Sequence, residues 1–253
     1  MTKIQWELGS AYDFFISLYV IQHPERFGLR PARAAGVRSR LPAENRQFYE
    51  QILRFLPVPL IWVNGLKIPE KNTDAILDML EKIPAEQRYS LLYQPATMDE
   101  KARESIQRLR SGKKADARDL SAIRSIFQRR ISALKTTDLQ NLAQIFNDPA
   151  GFGDLLLQTL RTYQQVFFAE EEERILPSLN AGLEKAREMA ANQPIAQLIE
   201  TLSHGVTLEK ADQFEKISMV PSYWTTPLIF HMSPSPDHLL FIFGCRQDQQ
   251  TLV

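Results

Sequence analysis

Four consecutive glutamates, Glu170 to Glu173, are followed at once by Arg174. Carboxylates can do acid–base work or hold a metal, but only if they converge on one point. Consecutive residues of a helix point in different directions, so four in a row do not converge. The run reads instead as a solvated helix face, with Glu170 placed to pair with Arg174 one turn on.

The other reactive residues are scattered. The four histidines, His23, His204, His231 and His238, fall in no HExxH pattern and no close His/Cys/Asp spacing. His231 and His238 could meet across a hairpin, yet no carboxylate partner is evident and the single cysteine is Cys245, so no metal site is assigned. Cys245 ends an apolar run without an adjacent base, and there is no GxSxG, Walker loop or GxGxxG. No catalytic residue and no cofactor is assigned. Arg26, Arg30, Arg33, Arg38, Arg40 and Arg46 face only Glu25 and Glu44 within residues 24–46. Such arginines can meet phosphate or acidic partners, or lace a segment onto the body through carbonyl and carboxylate hydrogen bonds; the second reading is favoured. Aromatic side chains gather in the apolar stretches, among them Tyr12, Phe15, Tyr19, Trp62, Tyr223, Trp224 and Phe230. They suit a core, or the lining of an apolar ligand pocket with polar tips.

The elements that must position these residues follow from periodicity. KIQWEL (3–8) alternates, with Ile4, Trp6 and Leu8 on one side, as a half-buried strand does. Ser10 with Asp13 three residues on fits the cap and capping box of a helix over 11–21. That helix is apolar on nearly all sides and should be buried; His23-Pro24 ends it. Residues 24–41 read as an irregular, Arg-rich segment, and Pro42 opens a helix to Phe55. Leu60 to Gly65 is a short apolar patch closed by an Asn-Gly turn signal. Helical periodicity then dominates to about residue 204, over 73–82, 98–110, 116–135, 138–146, 154–192 and 194–204. Pro177 should kink or divide the longest of these. After Gly205 the pattern changes to strands at 214–220, 226–232 and 238–244, the last two joined by SPSPD as a hairpin. The fold class expected is α+β and predominantly helical. A helical body (about 10–204) would carry a small antiparallel sheet formed by the C-terminal part (about 205–246), joined by the N-terminal strand.

The 253 residues are 44% hydrophobic and 24% charged, the balance of a globular protein with a sizeable core. Lys plus Arg and Asp plus Glu both total 30, so the net charge is zero, unlike a dedicated nucleic-acid-binding domain. One cysteine makes no internal disulfide, MTKIQWELGS is not a signal peptide, and no apolar run matches a bilayer. A cytoplasmic protein without a membrane partner is expected.

Several segments together resemble a known family: WELGSAYDFFISLYVIQHPERFGLRPARAAGVRSRLP (6–42), FFAEEEERILPSL (167–179), VPSYWTTPLIF (220–230) and LLFIFGCR (239–246). They are similar to the long N-terminal region of bacterial ArsR-type transcriptional regulators, in which a winged helix-turn-helix follows. The resemblance covers most of the chain and carries no reaction chemistry. It implies a single regulatory domain over 1–246, with 247–253 as the start of a linker to a winged helix that these residues do not include. The function implied is ligand sensing, dimerisation, or both. The expected partners are a small apolar ligand and a second copy of the chain, with DNA reached only through the winged-helix domain. The expected ligand pocket lies between the first helix and the C-terminal sheet, lined by Tyr12, Phe15, Tyr19, Tyr223, Trp224 and His231. A stand-alone binding or scaffold protein is the alternative reading, and an enzyme a more distant one.

Overall fold

The computed structural model describes residues 2–93, 100–128, 134–208, 211–246 and 252. In chain order the elements are β1 (Lys3–Trp6), α1 (Ser10–Gln22), α2 (Pro31–Ser39), α3 (Ala43–Gln51), α4 (Leu60–Gly65), α5 (Thr73–Glu81), α6 (Ala85–Leu92), α7 (Glu100–Arg110), α8 (Ala117–Gln128), α9 (Thr136–Asn147), α10 (Pro149–Tyr163), α11 (Ala169–Asn192), α12 (Ile195–Leu202), β2 (Lys216–Ser222), β3 (Phe230–Ser235) and β4 (His238–Gly244). The fold is predominantly helical α+β, and the small sheet does join the N-terminal strand to the C-terminal ones. The expected helix start at Met98, the apolar position Ile131 and most of the expected linker at 247–253 lie outside the described residues.

Two compact units are present. One comprises the chain up to Arg40, Leu60–Ile76 and everything described from Gln164 onward; the other comprises Leu41–Pro59 and Leu77–Tyr163. Among its described residues the second unit has helices and no strand. Its core brings Tyr89, Phe146, Phe152 and Phe48 together, with ring centres 5.3–5.8 Å apart. Arg88 is buried there and donates to the carbonyls of Leu80, Ile83 and Gly153 and to Asp154, so its charge does not go unmatched. α10 passes α6 so closely that a Cβ on Gly153 would strike the backbone of Ala85.

The first unit holds the sheet, in the order β1-β2-β4-β3. It is mixed and not antiparallel as expected: β1 pairs parallel with β2, β2 parallel with β4, and only the β3–β4 hairpin is antiparallel. The connection from β2 to β3, residues 223–229, explains this. Tyr223, Trp224 and Thr225 are buried in it, and it carries the chain past the slot that β4 then fills. β2 and β4 are thus interior strands, covered on both faces, which is why HLLFIFG is an unbroken apolar run and not an alternating one. On one face Ile217, Met219, Leu239, Phe241 and Phe243 pack on Ala186 of α11 and on Leu198 and Ile199 of α12, with Ile4 and Trp6 of β1 beside them. α1 is buried almost entirely, as its all-round apolarity predicts.

Four local expectations change. The Arg-rich stretch is not irregular, because Pro31 sits at the first position of α2, where its fixed φ suits a helix, and Ala34 and Val37 give it a buried side. Arg38 and Arg40 do tie it down, donating to the carbonyls of Ile21 (2.7 Å) and Val166 (3.3 Å). Leu60 and Val63, three residues apart and buried, make LIWVNG a short helix. The helix from Pro42 stops at Gln51, and a 3₁₀ turn over Leu53–Phe55 carries Phe55 into the core. Pro177 does not divide α11; it is exposed there, and the irregular turn is a π-helical one at Gln164–Phe168.

Because β4 is interior, Phe241→Ala is expected to cost about 3–5 kcal/mol, read as a lower urea midpoint of the sheet-bearing unit by near-UV circular dichroism. A cost below about 1 kcal/mol would mean that the strand is not covered on both faces.

Candidate functional site

Two polar assemblies organise the sheet-bearing unit. The first is a buried hub at the end of β2. Asp13 of α1 is fully buried, and its Oδ1 accepts from the Ser222 hydroxyl (2.8 Å) and the Trp224 amide (2.7 Å). Its other oxygen, Oδ2, has no hydrogen-bond partner among the described residues. Burial pushes the Asp13 carboxyl up to about 7 and the nearby charge of Glu171 adds to this, while the donors on Trp224, Ser222 and Tyr223 oppose it. The expected capping box therefore does not form. Gly9 is the N-cap of α1, Ser10 donates to Glu172, and Asp13 points into the protein.

Glu171 and Glu172 complete the hub. Glu171 is buried, accepts from the Trp224 indole (2.9 Å), and takes two bonds from Arg174, Nε at 2.8 Å and Nη2 at 2.5 Å. Those bonds raise Arg174 above its ordinary value. Arg174 also donates to the Tyr223 hydroxyl (3.0 Å), and the Tyr223 ring receives the Arg174 and Arg246 guanidinium groups at 4.8 and 5.9 Å from its centre. Glu172 accepts from Ser10 and from the amide and hydroxyl of Thr73 (3.0 and 2.9 Å), which places a carboxylate on the first turn of α5. The acidic run is therefore not a solvated face: Glu170 and Glu173 are exposed, but the two residues between them turn inward. The pair that forms is Glu171–Arg174, not Glu170–Arg174.

The second assembly floors a cleft of about 870 Å³ along the β1 edge of the sheet. Its walls come from β1, from α4 and the loop after it, from α11, and from the starts of β2 and β4. At the floor, Lys71 Nζ is 3.0 Å from Glu7 Oε1 and 2.8 Å from the Asn64 carbonyl. Both side chains of the ion pair are nearly buried, at 7% and 10% exposure. Glu7 also accepts from Tyr12 and Asn64. The backbone of Lys71 lies against the start of α1, where its carbonyl accepts from the Ala11 amide (2.9 Å). A Cβ on Gly9 would come within 2.9 Å of that same carbonyl, so the approach depends on glycine. Burial lowers the Lys71 ammonium, with Lys216 adding to the shift and Glu7 opposing it.

Of the six residues expected to line a pocket, Tyr223 and Trp224 belong to the hub. Tyr12 is buried against Glu7, and its phenol is pushed up by burial and by that neighbouring charge. Phe15 packs edge-on against Phe14 (5.1 Å) and Trp62 (6.2 Å). Tyr19 stacks among His23, Phe27 and Phe230, and His231 is exposed on β3. His231 faces Phe241 across the hairpin and not His238, which instead meets the Ser218 hydroxyl at 2.9 Å. The cleft beside β1 is lined by none of the six. A smaller cleft of about 520 Å³, bounded by Gly182, Lys185, His204 and Cys245, also excludes them. Burial pushes the Cys245 thiol up, which makes it a poor nucleophile. No group of His, Cys, Asp and Glu among the described residues could hold a metal, and no described helix is long and apolar enough to cross a membrane.

Sequence reasoning missed Glu7, Lys71, Glu171 and Glu172 as partners. One signal was present: a buried Trp224 indole needs an acceptor, and an acidic run is a place to seek one. No family model, no curated protein and no solved structure matches the chain.

The raised carboxyl of Asp13 predicts a pH signature. Between about pH 4 and about 7 the folded state keeps a proton that the unfolded state has released, so this group's contribution to stability falls as pH rises and levels off above. Asp13→Asn removes that slope. The mutant should therefore gain stability relative to wild type by a few kcal/mol across this window, read by urea unfolding at stepped pH. A difference that stays constant from pH 4 to 8 would show that Asp13 titrates as an ordinary carboxyl.

Proposed function

We propose that the sheet-bearing unit senses a small molecule in the cleft beside β1, as the regulatory region of an ArsR-like transcriptional regulator whose winged helix is a separate domain. The observation that carries this reading is the connection between cleft and hub. Glu7, at the cleft floor, bonds Tyr12. The next residue, Asp13, bonds Trp224, whose indole reaches Glu171, and Arg174 carries the chain of contacts to Tyr223 and the Arg246 guanidinium just beyond β4. A ligand shifts such a network only if it binds two arrangements with different affinity. A nearly buried ion pair at the cleft floor supports this reading, because a polar ligand there would compete directly for Glu7 or Lys71. In the regulators that the chain resembles, the DNA-reading domain follows the strand equivalent to β4, so the end of β4 is where a signal would leave.

The test is a thermal-shift screen of a mixed small-molecule library against wild type and Ile61→Arg, which places a bulky charge at an exposed position on the cleft wall. At least one compound should raise the melting temperature of wild type by several degrees and leave the variant unmoved. The same compound should slow hydrogen exchange in β4. If no compound separates the two proteins, or if exchange in β4 is unaffected by one that does, the sensing role is lost.

A further inference from the structure

We infer that the cleft beside β1 takes a small organic acid, a molecule with one anionic head and an apolar body. The class of ligand rests on the sensing role proposed above only for its purpose; its chemistry is read from the cleft itself.

The charges of the cleft do not cancel. Lys71 is matched by Glu7 at 3.0 Å, and Arg187 by Glu184 at 2.7 Å. Lys67 and Lys216 line the same cleft with no ion-pair partner among the described residues. Lys216 and His238 are paired positions of neighbouring strands, so their side chains leave the same face of the sheet. Two of the three protons of the Lys71 ammonium are used, by Glu7 and by the Asn64 carbonyl. The surplus of positive charge is therefore that of Lys67 and Lys216, and the charge of Lys216 reaches both Lys71 and His238. Burial lowers both Lys71 and His238, the charge of Lys216 lowers each further, and the charge of Glu7 opposes both shifts. An anion bound there relieves that repulsion, whereas a cation adds to it. Trp6, Ile61, Ile68 and Leu183 give the rest of the wall an apolar part, which it shares with the amides of Gln5, Asn64 and Asn180. At about 870 Å³ the space exceeds what a bare inorganic ion needs and suits an organic body.

The experiment is isothermal titration of the whole chain with phenylacetate and octanoate, and with their neutral amides, phenylacetamide and octanamide. At least one acid should bind, its amide at least tenfold more weakly, and added salt should weaken the acid alone. Lys216→Met should weaken the acid at least tenfold and leave amide binding unchanged. Lys67→Met, on the loop after α4, serves as a second variant should the strand substitution impair folding, and it should act in the same direction. Amides that bind as tightly as the acids would overturn the anionic class while leaving the sensing role standing. The class would equally fall if both acids failed while the library screen yielded a ligand blocked by Ile61→Arg. Failure of the acids and of the library together removes both readings.

Discussion

Asp13 brings a carboxyl group into the buried interior of the sheet-bearing unit, and the surrounding structure is arranged to accommodate it. Burying an acid is costly unless donors meet it. The donors here, the Ser222 hydroxyl and the Trp224 amide, lie more than two hundred residues away in sequence. Satisfying them fixes α1 against the end of β2, and so fixes the path of the chain from β2 past β4 to β3. The mixed order of the sheet is a consequence: once the segment after Ser222 is held to α1, β2 and β3 cannot form a simple hairpin, and β4 enters between them. Trp224, drawn in by the same contact, brings a buried indole that needs an acceptor, and Glu171 supplies it.

This arrangement places charge where it can respond to change. Buried polar networks are strong when every member is matched and costly when one is not. Most of the hub is matched, through Glu171, Arg174 and Tyr223, but Oδ2 of Asp13 is not. The cleft at the opposite end of the network has the same character, with a matched pair at its floor and unmatched lysines around it. A protein built only for stability would more readily fill such positions with apolar side chains. The sensing role proposed above draws on these charged positions.

The sequence showed the elements better than their polar contacts. Helical stripes such as Leu156, Leu160, Tyr163 and Phe167, or Leu179, Leu183 and Ala186, are buried as their spacing demands. β1 and β4 stand close to where alternation puts them, whereas β3 runs over Phe230–Ser235 and not 226–232, and the hairpin turn narrows from SPSPD to Pro236-Asp237. Local signals failed where a residue had two plausible uses. Ser10 and Asp13 fit a capping box, and both instead serve partners far away in sequence. The acidic run fitted a solvated face, and half of it is internal. The aromatic residues were correctly placed as buried for Tyr12, Phe15, Tyr223 and Trp224, but burial does not say whether they surround a cavity or one another.

The sequence by itself determined the fold class, the positions of most helices and strands, and which faces are apolar, because these depend on periodicities within a few residues. Only the tertiary structure decided the direction in which the strands pair, which carboxylates turn inward, and that Glu7 and Lys71, 64 residues apart, share the floor of a cleft. Hydrogen bonds and ion pairs act over about 3 Å. A one-dimensional pattern contains no record of which distant residues will come within that reach.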